Sequence, residues 1–236
     1  MLSRVKSWHR PEGWDEFVSV FGVAVFCAAT WVFIELADDA PEGDYLETER
    51  VVMEWFRHAA TGAPVGPHWL PDAVRDVTAM ASAIVLILLA LLILGYLCLT
   101  RRFATAALIA IATAGGEGLN ALLKESFERA RPAITSHLVE VKTSSFPSGH
   151  SMAASIFFLT MGALLAQTAR RRREKIYLMS AAVFLTVITG TSRVYLGVHY
   201  PTDVLAGWSA GAAWAILCWF VARWLDRRGK LRAAPE

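Results

Sequence analysis

Cysteine is scarce in this sequence: three occur in 236 residues. Cys27, Cys98 and Cys218 each stand alone inside an apolar run, and without C-x-x-C spacing neither a disulfide framework nor a zinc site is indicated. They read as apolar filler facing lipid or core. Charge of one sign is not in excess either. With 23 basic and 21 acidic residues the net charge is +2, which argues against a nucleic-acid partner. No internal repeat or low-complexity segment interrupts the chain, and one compact domain over residues 1–236 is expected.

Apolar residues, by contrast, are abundant. They make up 55% of the chain, with a mean hydropathy of +0.41, above the roughly 45–50% of soluble domains. A membrane-spanning helix needs about 20 mostly apolar residues. Six runs qualify: Phe17–Ala37, Thr78–Leu99, Phe103–Leu123, Ser151–Ala169, Ile176–Thr191 and Val204–Leu225. The expected fold is therefore all-α, a polytopic membrane bundle of about six transmembrane helices. The first run is read as a retained span, since it passes into "ELADDAPEGD" without a small-residue cleavage site.

Lysine and arginine collect in short cytoplasmic loops. Here they fall before span one (Arg4, Lys6, Arg10), between spans two and three (Arg101, Arg102), between four and five (Arg170 to Lys175) and after six (Arg223 to Arg232). These segments alternate along the chain, so both termini are expected to be cytoplasmic. The opposite side receives the acidic loop 38–77, with nine acidic residues against three arginines, and the segments 124–147 and 192–203. Within the acidic loop, "YLETERVVMEWFRHAA" spaces apolar and charged residues as a helix does. It reads either as an interfacial helix beside a lipid entrance, with Trp55 and Phe56 at headgroup level, or as a helix packed on the bundle's rim.

Three outward segments hold polar residues that a membrane protein does not place cheaply. "LLKESFERARP" ends span three with Lys124 and Arg131, "FPSGH" opens span four, and "SRVYLGVHYPTD" supplies Arg193, His199 and Asp203. One ammonium and two guanidinium forks match the oxygens of a phosphate. Ser148 and Gly149 add backbone N–H groups at a helix start, where an anion is favoured. Neutral imidazole attacks phosphorus when a partner fixes its other nitrogen, and Asp203 is four residues from His199. Pro201 leaves open whether that offset is a helical turn or a turn into span six. His150 is then the acid for the leaving oxygen and the base for water.

The blocks "KESFERARP", "PSGH" and "SRVYLGVH" followed by "YPTD" resemble, in order and spacing, the three-part signature of the type 2 phosphatidic acid phosphatase (PAP2) superfamily, which also contains the vanadium haloperoxidases. The resemblance runs from Lys124 to Asp203. It implies His199 as the nucleophile of a phosphohistidine intermediate, Asp203 as its orienting carboxylate and His150 as general acid and base. Lys124, Arg131, Ser148, Gly149 and Arg193 would hold the phosphate, Ser192 would support them, and no metal or other cofactor is required. Six spans point away from the soluble haloperoxidases and towards the lipid phosphatases.

Other polar residues receive plainer readings: His9, His58, His68 and His137 as wet-boundary residues, Arg129 as exposed or headgroup-facing, and Glu117 as a structural contact within the bundle. The function expected is a metal-independent lipid phosphatase of the cytoplasmic membrane with its site on the periplasmic or extracellular side. Its partners would be membrane lipids and a lipid phosphate: undecaprenyl diphosphate, a glycerophospholipid phosphate such as phosphatidylglycerol phosphate or phosphatidic acid, or lipid A phosphate. A phosphotransferase using the same site is the near alternative. A lipid transporter is the distant one, because its polar residues would run through the depth of several spans.

Overall fold

Long apolar runs satisfy their backbone polar groups in a membrane only as helices or closed barrels, and here they form helices. The computed structural model describes residues 14–42, 45–133, 138–139, 143–169 and 171–228. Arg4, Lys6, His9, Arg10, His137, Arg170, Lys230 and Arg232 lie outside the described residues. Among the described residues there are eight helices and no strand: α1 (Trp14–Glu42), α2 (Leu46–Glu54), α3 (Leu70–Ala79), α4 (Ala83–Leu99), α5 (Phe103–Ser126), α6 (Gly149–Thr168), α7 (Arg172–Tyr195) and α8 (Pro201–Arg227). Five are long and apolar enough to cross a membrane, and the bent pair α3–α4 brings the number to six where it is counted as one span.

That bend departs from the single helix expected over Thr78–Leu99. The chain turns by 45° between α3 and α4, because Met80, Ala81 and Ser82 donate their N–H groups three residues back, to Val77, Thr78 and Ala79. Ser82 then caps a new helix, its hydroxyl accepting from the N–H of Val85 at 3.4 Å. Hydropathy is continuous across the break and does not register it. The sequence-expected boundaries also fall short at the helix ends that carry the polar blocks. Lys124 lies in the last turn of α5, His150 in the first turn of α6, Arg193 in the last turn of α7 and Asp203 in the first turn of α8.

The helix α6 forms the centre. Over half (56%) of its apolar window is inside the protein, against 6% for α1, so α6 is walled by protein while α1 offers Val20, Phe21, Trp31 and Ile34 outwards. Lipid is as apolar as leucine, so helix association in a membrane rests on close packing by small residues rather than on the hydrophobic effect. Such residues line the α6–α8 crossing. A methyl at Gly207 would meet the carbonyl oxygen of Ser148 at 2.6 Å, and one at Gly211 the Cβ of Ser155 at 2.6 Å. Below this crossing Met152, Ile156 and Ala210 pack with Leu119, Leu123 and Trp214, and Phe157 and Phe158 join Leu86, Ala90 and Ala182 from α4 and α7. The indole N–H groups bind across helices, Trp214 to the Ala112 carbonyl (2.8 Å) and Trp208 to that of Thr186 (3.1 Å). Cys27 and Cys98 are exposed on apolar helices and Cys218 is buried.

Candidate active site

The tight α6–α8 crossing brings three sequence blocks to one level. Asp203 accepts the N–H of Ser148 on its backbone carbonyl at 2.9 Å, joining the "PSGH" and "YPTD" segments directly. The "PSGH" segment, whose Phe146–Pro147 peptide is cis, is also tied to the chain after α5. Ser145 donates its N–H to the Arg129 carbonyl (2.9 Å), and the Ser144 hydroxyl donates to that of Phe127 (2.6 Å). Arg131 closes the junction through Nε to the Thr143 carbonyl (2.8 Å), Nη2 to the Ser144 carbonyl (3.1 Å) and Nη1 to the Val198 carbonyl (2.6 Å).

Lys124 and Gly149 meet across the same gap. A side chain on Gly149 would come within 3.0 Å of Lys124 Cε, so the lysine passes over the start of α6 because that residue lacks a Cβ. Its Nζ rests on the Ser144 carbonyl (3.2 Å) and the Thr143 hydroxyl (3.4 Å). Arg193 is buried, with Nη1 donating to the Thr78 hydroxyl at 3.2 Å and Nε without a partner. It is close enough to interact electrostatically with Arg131, His150 and His199. Among the described residues no carboxylate forms an ion pair with Lys124, Arg131 or Arg193. Three converging cations without an ion-paired carboxylate among the described residues call for an anionic guest.

The cradle differs from expectation at Ser148. Its N–H is already given to Asp203 and its hydroxyl accepts from Ser151 at 2.8 Å. The N–H groups without an intrahelical acceptor are those of Gly149, His150 and Ser151, the first turn of α6. Ser148 therefore shapes the helix start, and the amides left open to a guest begin one residue later. The hydroxyl of Ser192 is likewise tied back to the Thr189 carbonyl at 2.5 Å.

The Pro201 ambiguity resolves as a turn into the last span: His199 precedes α8, Pro201 is its first residue and Asp203 sits in its first turn. His199 and Asp203 are both fully buried. Arg131 Nη1 lies 3.2 Å from His199 Nε2. A guanidinium only donates, so Nε2 is the acceptor and the neutral ring carries its proton on Nδ1. That nitrogen lies 3.4 Å from Asp203 Oδ2 and has no other partner. The separation is long for a hydrogen bond, and such contacts tighten as charge develops in the reaction. Burial above all holds the His199 pKa down to about 4. Asp203 opposes that shift, while Arg131 and Arg193 add to it. The imidazole is thus neutral, with Nε2 facing the cations.

Arg129, read otherwise in sequence, and Glu49, given no reading of its own there, join this cluster. Arg129 is buried rather than headgroup-facing. It donates Nη1 to Asp203 Oδ1 (2.6 Å) and to the Thr202 hydroxyl (2.8 Å), donates Nη2 to Glu49 Oε2 (2.7 Å), and stacks 4.3 Å from the Tyr200 ring centre. Glu49 comes from α2, whose Glu49 and Met53 face inwards while Trp55 beyond it stays exposed. One face of this segment packs on the bundle, while Leu46, Val51 and Trp55 stay exposed. An acidic residue four positions before Met53, on the one apolar face of a short helix, was the available signal. Glu117 is half-buried and makes no hydrogen bond or ion pair among the described residues, so its expected structural contact is not found. His58 and His68 are exposed, as expected.

A membrane bundle with a neutral histidine, a carboxylate behind it and, among the described residues, three cations without a carboxylate partner in front defines a protein suited to phosphoryl chemistry on a lipid. The family model of the PAP2 superfamily matches residues 103–227, and the chain belongs to this superfamily. It is 31% identical over 165 residues to phosphatidylglycerophosphatase B of Bacillus subtilis, covering 69% of this chain and 78% of that one. It is 29% identical over 182 residues to lipid A 1-phosphatase of Rhizobium etli, covering 66% and 74%. The crystal structure of a transmembrane PAP2-type phosphatidylglycerolphosphate phosphatase from Bacillus subtilis superposes with a TM-score of 0.76 at 26% identity, over 86% of this chain and 98% of that one. The chain is a multi-span membrane lipid phosphatase.

Proposed function

We propose that this phosphatase removes phosphate from a lipid at the outer face of the cytoplasmic membrane through a phosphohistidine on His199, with both termini cytoplasmic and residues 1–236 acting as one membrane domain. The convergence of Lys124, Arg131 and Arg193, none with a carboxylate partner among the described residues, around the neutral Nε2 of His199 carries this reading. The equatorial phosphate oxygens bind the three cations and the free amides of Gly149 and His150. Nε2 attacks phosphorus, the bond from phosphorus to the lipid oxygen breaks, and His150 gives that oxygen its proton. Asp203 stabilises the positive ring. Water then attacks the phosphohistidine, His150 takes the proton of that water, the P–N bond breaks, and inorganic phosphate leaves.

Relatives named for phosphatidylglycerophosphate and for lipid A make a glycerophospholipid phosphate the leading substrate, with undecaprenyl diphosphate and lipid A phosphate next. The test is a phosphate-release panel over these lipids with purified protein. Release from at least one lipid, abolished in a folded His199→Ala variant, is expected. Substantial activity in that variant would overturn the mechanism, phosphate appearing on a second lipid would make the protein a transferase, and lipid movement without phosphate release would make it a transporter.

A further inference from the structure

The family match begins at residue 103, yet the carboxylate behind the nucleophile is held through a residue far upstream of it. Glu49 Oε2 accepts from Arg129 Nη2 at 2.7 Å, and Arg129 Nη1 donates to Asp203 Oδ1 at 2.6 Å. Thr202 closes the ring by accepting from Arg129 and donating to Glu49 Oε1. All three charged side chains are at least nine-tenths buried. Oδ2 of Asp203 is fixed by the Ser145 hydroxyl (2.5 Å) and the Tyr200 N–H (2.8 Å), which leaves it aimed at His199.

Arg129 alone would present a difficulty. A buried guanidinium against Asp203 orients the carboxylate but neutralises it, and a neutralised pair stabilises a positive imidazole poorly. Glu49 supplies the second negative charge, so the trio carries a net charge of −1 at His199's back. We propose that Glu49 is a positioning residue of the phosphatase: acting through Arg129, it keeps Asp203 both oriented and effectively anionic while His199 becomes positive. The outward helix α2 is thereby a working part of the catalytic unit. This inference rests on the phosphohistidine reading.

The charged groups facing His199 and Asp203 are Arg129 and Arg131 from the segment after α5, Lys124 from α5, His150 from α6 and Arg193 from α7. All are cationic or become so on protonation, which makes Glu49, among the described residues, the charge of opposite sign added to Asp203. The experiment compares wild type, Glu49→Gln and Glu49→Asp in detergent, measuring kcat and KM against pH on whichever lipid the panel identifies, with thermal unfolding as control. Gln keeps the size and the acceptor oxygen but loses the charge. It is expected to lower kcat about tenfold with KM nearly unchanged, and to move the acid limb of kcat/KM to lower pH by about half a unit, since the protonated ring loses support. Asp retains the charge and is expected to leave the acid limb in place.

Unchanged kcat and pH profile in folded Glu49→Gln overturns the proposal. So does a loss of kcat without movement of the limb, an Asp variant that matches Gln, or a Glu49→Gln protein that cannot be obtained folded, since each makes Glu49 structural only. None of these outcomes touches the mechanism itself, which stands or falls with His199→Ala.

Discussion

A single methyl group at Gly207 tests whether the α6–α8 crossing sets the site. The added Cβ would lie 2.6 Å from the Ser148 carbonyl oxygen, 3.0 Å from Ser151 Cβ and 3.1 Å from the Met152 backbone nitrogen. The first and third are backbone atoms, which no rotamer change moves. Ordinary C···O contact is about 3.3 Å, so α8 must retreat by about 0.7 Å. The 2.9 Å bond from the Ser148 N–H to the Asp203 carbonyl then stretches to about 3.6 Å, past the hydrogen-bond range. Overpacking and the lost bond together cost about 2–3 kcal/mol. Asp203 and His199 travel with α8, while Gly149 and His150 stay on α6. A displacement approaching 1 Å between nucleophile and phosphate cradle costs about 100-fold in rate. Phosphate release by Gly207→Ala in detergent, beside its melting temperature, reads both effects. A melting temperature and kcat equal to those of wild type would refute the claim that this crossing fixes the geometry.

Other outcomes follow from the same geometry. Arg193→Ala should lower kcat by about 100-fold or more, the usual result of removing one donor from a developing oxyanion; steady-state phosphate release measures it. Because burial holds His199 near pKa 4, below the ordinary 6.5, the unfolded chain binds this proton between pH 6.5 and 4 while the folded one does not. Stability should therefore fall as pH falls through that window, and thermal unfolding of His199→Gln should show a shallower slope. Arg129→Met leaves two buried carboxylates uncompensated and should cost about 3–5 kcal/mol. Arg75→Ala, which breaks an exposed pair with Asp72, should cost under about 1 kcal/mol; both are read by thermal unfolding.

The spans and the residues that cluster around His199 were legible because each leaves a local mark. Apolar length marks a span, basic loops alternate, and Lys124, Arg131, His150, Arg193, His199 and Asp203 stand at fixed offsets beside span ends. The break after Ala79 left no such mark, since the residues on either side are apolar and the cap is one serine in an otherwise helical run. Arg129 was misread because its exposure depends on Glu49, 80 residues earlier, and no short-range pattern encodes that pairing. Ser148 was half right: a helix start is visible in "PSGH", but the partner of its N–H is a carbonyl on another helix. Sequence gives side-chain chemistry readily, and gives the occupancy of backbone donors only where the acceptor is close along the chain.

The bend between α3 and α4 separates two mechanical tasks. Thr78, which steadies Arg193, lies just before the break, while α4 carries the exposed leucines and isoleucines that meet lipid. A span that tilts to match a thinner bilayer can pivot at Ser82 without dragging Thr78 along. Such a pivot would decouple bilayer thickness from this side of the site, and phosphate release in vesicles of differing acyl-chain length is then expected to proceed with unchanged kcat.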